Sequence, residues 1–240
     1  MSHAEEVAAL WADYGRKENW RVPIAFACDE QLWLHVAGHS YREFYHDPEV
    51  QVAVQLEGKR WFCENIQGDM APGLPAKWTL EPQFWMTENE LCGCSITYQD
   101  NGHAWGQPLP LTRSELLAHI RGIDPVQAVR SSHTYRLYQG MKAYAQGMTF
   151  AGRPVEVCAP IGTHGVFTKA AEIRGIESLC LDLYADPEFA AAYLQALTEK
   201  ILGFIKAWRE IETGHPPVPA SAAWGFADDS IQLLSADHYR

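Results

Sequence analysis

The order in which short apolar runs give way to capped helices constrains this chain more than any other feature. Val22–Ala27, Val155–Ala159 and Ala222–Phe226 are apolar stretches, each followed by a polar or glycine-containing loop and then a segment able to form helix. Runs of this length read as strands buried on both faces, and strand–loop–helix units in series read as a parallel α/β sheet. Helix starts are marked by capping chemistry. Asp47-Pro48-Glu49 and Asp186-Pro187-Glu188 each place a capping carboxylate before a proline at the first helical position, with Glu on the positive end of the dipole. The first predicts a helix to about Cys63, with Val50, Val54 and Trp61 among its inward residues. Behind the second, Phe189, Tyr193, Leu197, Ile201, Ile205 and Trp208 recur at helical spacing until Gly214 and Pro216-Pro217 stop it. Thr112 with Glu115 caps a helix over 112–121, Asp124-Pro125 opens another, residues 129–146 are helix-like, and Phe167–Arg174 follows a turn at 160–165. Asp69–Gln107 is rich in Pro, Gly and Trp and has strand character only at Ser95–Tyr98, which predicts a long excursion with short strands or a hairpin.

Composition excludes several classes. With 240 residues, 47% hydrophobic and 20% charged, the chain fills one sizeable core and is read as a single domain. Nineteen basic against thirty acidic residues give a formal charge of -11, which repels phosphate backbones and anionic lipid, so neither nucleic acid nor membrane is expected as a partner. No apolar run nears the roughly 18 residues that span a bilayer, and the acidic start Met1–Glu6 is no secretion signal, so a cytoplasmic location is expected. Six scattered cysteines suit reduced thiols.

A complete eightfold α/β barrel takes about 250 residues with short loops, whereas about four strands emerge here because the connections are long. The chain is therefore expected to cover the N-terminal half to two-thirds of a barrel. Its end agrees, since Ser235 reads as an N-cap with only Ala236–Arg240 behind it, and one isolated helical turn is costly to nucleate. A C-terminally truncated barrel leaves sheet edges open and needs its missing half or a partner.

No nucleotide-binding or zinc-protease motif is present. Gly162-Thr163-His164-Gly165 is equally readable as an anion cradle before a helix or as a tight turn that needs glycine. Cys92-Gly93-Cys94 lacks the further ligands zinc requires, and the ten histidines have no pairing at ligand spacing, so no metal ligands are assigned. Carboxylates are stronger candidates. Asp69 and the pair Asp228, Asp229 follow strand-like segments, and parallel barrel strands deliver such residues to one mouth, where crowded carboxylates shift each other's pKa and bind cations or manage protons.

Two blocks resemble a known family. Pro160–Gly175, a glycine turn, a Thr and a helix followed by the Asp-Pro-Glu start, and Ala227-Asp228-Asp229-Ser230 with its Leu-Leu-Ser continuation are similar to the uroporphyrinogen decarboxylase superfamily. The likeness runs from Arg21 to Tyr239 and implies a (β/α)8 TIM barrel with its site at the strand C-termini. It further implies that Asp69 is the catalytic aspartate near the second strand and that Ser230 sits where the decarboxylases place a substrate-contacting serine, so Asp69, Asp229 and Ser230 are the catalytic candidates. Asp228, Thr163, His164 and Glu172 are the substrate-binding candidates, Glu172 standing where the decarboxylases have a site tyrosine. The arginine-rich segment of the decarboxylases is reduced here to Arg42 within 28–46, and the acidic chain would repel a polycarboxylate substrate. Methyl transfer is therefore favoured, as in the superfamily's cobalamin-dependent methyltransferases, with a small molecule or corrinoid as substrate and a corrinoid carrier as partner. Their zinc would be held by residues beyond Arg240. Tetrapyrrole decarboxylation is the alternative, a non-catalytic ligand-binding barrel a further one, and a homodimer is an admissible assembly.

Overall fold

Side-chain caps set most helix boundaries in the computed structural model, which describes residues 2–66, 68–70, 73–160, 162–215 and 225–235. Helix α1 (His3–Arg16) starts in a reciprocal box in which Ser2 and Glu5 each accept from the other's amide. Asp29 caps α2 (Glu30–Ala37), Ser40 with Glu43 boxes α3 (Tyr41–His46), and Asp47 caps α4 (Pro48–Asn65). Strand β1 (Trp78–Leu80), helix α5 (Thr87–Leu91) and the hairpin β2 (Ile96–Thr97) and β3 (Trp105–Gly106) make up the predicted excursion. Next come α6 (Arg113–Gly122), α7 (Pro125–Ser131) and α8 (His133–Tyr144), capped by Thr112, Asp124 and Ser132. Strands β4 (Thr149–Phe150) and β5 (Arg153–Val157) turn through Ala151-Gly152, both at positive φ. The rest is β6 (Gly162–His164), α9 (Val166–Arg174), α10 (Ile176–Ala185), α11 (Pro187–Thr213), β7 (Gly225–Ala227) and a 3-10 turn at Asp229–Leu233.

Two parallel pairings carry the layout. β1 lies beside β5, with Trp78 opposite Val155 and Leu80 opposite Val157, and β4 extends that sheet antiparallel. β6 lies beside β7, with His164 opposite Ala227. The helices α6, α7 and α9 pack on α11, while α2 and α8 pack on α4. Phe189, Tyr193, Leu197, Ile201 and Trp208 are buried in the main core, as their spacing predicts. Leu197→Ala should cost about 2–5 kcal/mol in urea denaturation, because a buried Leu loses its transfer energy and leaves a cavity.

Several expectations differ from the structure. Val22–Ala27 forms no strand, and Val22, Ile24 and Phe26 are 66%, 56% and 48% exposed. An apolar pattern makes a strand only where a neighbour completes a ladder, and here the segment is held at one point, by reciprocal bonds between Ile24 and Asp69. The helix expected over 129–146 breaks at Ser132, whose extended backbone ends α7 and whose hydroxyl accepts from the Tyr135 amide to start α8. The expected turn at 160–165 contains β6. Of the strand expected at 222–226 only 225–226 is described, and the helical turn expected at 236–240 lies outside the described residues. Among the described residues no helix is long and apolar enough to cross a membrane.

Candidate active site

Because β1 and β5 run parallel, the segments that leave their C-terminal ends emerge on the same side. Between them lies a cleft of about 340 Å³, walled by residues 81–85 with Thr87 and Glu88 on one side and by Pro160, Gly162–His164 and Ala227 on the other. The first wall is clamped from behind by two buried side chains of α4. Gln51 donates to the Gln83 carbonyl (2.9 Å) and accepts from its amide (3.0 Å), and Gln55 does the same for Glu81 (2.9 and 3.4 Å). Each glutamine thus replaces a strand neighbour for one residue.

The floor is a buried ion cluster. Lys169 on α9 is 0% exposed and donates to the Trp85 carbonyl (3.2 Å), the Asn89 amide oxygen (2.9 Å) and the Glu172 carboxylate (2.8 Å), with Glu88 Oε2 at 3.7 Å. A buried ammonium without acceptors is prohibitive, so this saturation is what permits Lys169 to sit there. Glu88 in turn accepts from the Thr163 hydroxyl and lies 3.6 Å from His164 Nδ1. Burial opposes its ionisation, but the His164 hydrogen bond, the Lys169 charge and the Thr163 hydroxyl outweigh that cost, and its pKa falls below the ordinary value. Trp85 closes the floor on the other side, its ring 5.4 Å from that of His164. Its indole N–H donates to buried Glu30, which also meets His103 Nδ1 at 3.2 Å. Burial pushes the Glu30 carboxyl up. Tyr45, 3.3 Å from His103, ends the chain of polar contacts.

Three of the candidates chosen from sequence therefore meet. Thr163 and His164 reach Glu88 from β6, and Glu172 joins through Lys169 one helical turn before it. Asp228 serves the same helix differently. Its carboxylate accepts from the amides of Phe167 (3.1 Å) and Thr168 (2.8 Å) and from the Thr168 hydroxyl (2.8 Å), so it occupies the N-terminus of α9. A Cβ on Gly165 would fall inside that carboxylate, which is why glycine stands there. Between the two readings of the 162–165 segment, the donors at α9 are consumed internally. The Ser230 amide donates to the Thr168 hydroxyl (3.0 Å), and Asp229 is exposed beside it.

Asp69 is not among the residues lining this cleft. Its carboxylate takes a bidentate bond from Arg21, one arm at 2.6 Å, and a third from the Ile24 amide (2.8 Å), while its carbonyl accepts from the Trp11 indole. Arg21, then the Ile24 amide, hold its carboxyl down to about 2. A depressed carboxyl contributes stability above its unfolded pKa of about 3.9, and that contribution is lost as pH falls through the folded value near 2. Protection of the Ile24 region against hydrogen exchange should fade between those limits, and Asp69→Asn should remove this pH dependence.

Glu88, Lys169, Gln51, Gln55 and Glu30 were not expected from sequence. Signals existed for some: Gln51 and Gln55 stand four apart on the inward side of an apolar helix, and Lys169 with Glu172 interrupts the apolar face of α9. Cys92 and Cys94 are buried, and burial pushes the Cys94 thiol up to about 11 and raises that of Cys92 as well, so both stay neutral. Among the described residues no group of three or more His, Cys, Asp or Glu side chains is arranged to hold a metal ion.

No protein-family model matches the sequence, and no curated protein matches it significantly. Among solved structures, a methyltransferase from Methanosarcina mazei is similar in fold, with a TM-score of 0.57 at 16% identity, over 96% of this chain and 61% of that one. The chain thus spans about three-fifths of the length of the structure it resembles.

Proposed function

We propose that this chain belongs to a (β/α)8 barrel enzyme of the uroporphyrinogen decarboxylase superfamily that transfers a methyl group to or from a small molecule, with a corrinoid carrier as partner. The observation that carries the reading is the likeness in fold to a methyltransferase along nearly the whole chain. The cleft supports it. At about 340 Å³ it suits a small molecule rather than a tetrapyrrole, and among the described residues its lining contains no arginine or lysine to receive a polycarboxylate. In this reading Glu88 and His164 hold or move a proton at the substrate, Thr163 orients Glu88, and Lys169 with Glu172 keeps the floor's charge in place. Asp228 and Ser230 position α9, and Asp69 fixes the Arg21–Ile24 segment. Among the described residues no group of side chains fits a zinc ion.

The test is spectroscopic. Mixed with methylcobalamin and a thiol, the protein should convert the methylcorrinoid absorbance to that of the Co(I) form as the methyl passes to sulfur. Replacing His164 by alanine should slow this by about a hundredfold, the scale for losing a positioned acid–base group. No demethylation, with carbon dioxide released from uroporphyrinogen instead, would favour the decarboxylase alternative.

A further inference from the structure

We infer that the cleft takes a small molecule bearing a positive charge, an ammonium or alkylated ammonium group. This inference rests on the proposal that the cleft is the substrate site and names the class of molecule it admits. Four features converge on it. Glu88, 7% exposed, brings a carboxylate to the cleft, and the ammonium beside it, Lys169 at 3.7 Å, is shared with Glu172 at 2.8 Å. Lys169 spends its donors on Trp85, Asn89 and Glu172 and has none to offer an anionic ligand. The nearby helix N-terminus, the other natural anion site, is filled by the chain's own Asp228. Finally, the wall presents Phe84 and Trp85, the latter 41% exposed, and aromatic faces attract cations through their quadrupole.

These features act in one direction. A cation resting against Trp85 and above Glu88 would meet a carboxylate and an aromatic face without needing a hydrogen-bond donor from the protein. An anion would meet Glu88 on the floor and Glu81 in the wall, and among the described residues no arginine or lysine lines the cleft. The formal charge of -11 draws cations to the molecule from a distance as well.

Three small probes of different charge are compared: tetramethylammonium and tert-butanol, of nearly equal size, and the somewhat larger pivalate anion. In isothermal titration calorimetry at low salt, tetramethylammonium should bind at least about fivefold more tightly than tert-butanol, and pivalate most weakly. Added potassium chloride should weaken the cation alone. Glu88→Gln should reduce cation affinity by about tenfold and leave tert-butanol within about twofold. If that variant loses its circular dichroism, Trp85→Leu serves instead and should weaken the cation more than the alcohol. Tighter or equal binding of tert-butanol or pivalate, or heat from none of the three, would overturn the inference. Calorimetry involves no turnover, so such a failure leaves the methyl-transfer reading standing, and inactivity toward methylcobalamin leaves the binding result standing.

Discussion

Lys169→Met is expected to destabilise the protein by about 3–5 kcal/mol, the cost of removing one partner from a buried ion pair. The methionine fills similar volume, so the loss is electrostatic. Glu88 would keep its charge in a buried site with no ammonium, half-buried Glu172 would lose its ion pair, and the Trp85 carbonyl and Asn89 oxygen would lose their donor. Urea denaturation at pH 7 measures it. Adding Glu88→Gln to the same chain should recover part of the loss, because the uncompensated charge is then gone, and that coupling is the signature of the cluster. A loss under about 1 kcal/mol for Lys169→Met would mean the ammonium is not held as described.

Gly165→Ala should cost about 2–4 kcal/mol, unusually much for one added methyl. Gly165 has φ -66, which any residue adopts, so backbone strain contributes nothing. The loss comes from the place where the methyl lands, on the Asp228 carboxylate that caps α9. Overpacking costs about 1–3 kcal/mol and a lost cap about 1 kcal/mol. Asp228→Ala alone should therefore cost about as much as the cap, and the double variant Gly165→Ala with Asp228→Ala should lose less than the sum of the two. Additive losses in thermal or urea unfolding would place the methyl's clash elsewhere.

What could be read from sequence was local chemistry. Asp47, Thr112, Asp124 and Asp186 with their following residues opened helices where expected, since a cap needs only its own three or four neighbours. The stripe from Phe189 to Trp208 was legible for the same reason. Asp228 was picked out by its position after a strand, although its partners show it capping a helix. Glu88 was invisible because its burial depends on Thr163, 75 residues later, and Lys169 because its acceptor Asn89 lies 80 residues earlier. The run 81–91 carries no periodicity that would announce either. Val22–Ala27 misled in the opposite way, its composition describing a strand whose ladder the surroundings do not complete.

The paired glutamines of α4 have a mechanical consequence. Since Gln51 and Gln55 each grip both polar groups of one backbone residue, the wall formed by Glu81 and Gln83 can slide along the helix only if four hydrogen bonds release together. That wall therefore behaves as a fixed jaw, rigidly attached to α4 and, through it, to α2 and α8. Among the described residues of the opposing wall, Pro160 and Gly162–His164, none is gripped by α4 in this way. Any widening of the cleft to admit a bulkier ligand should come from that side, so that the molecule opens like a vice with one moving plate.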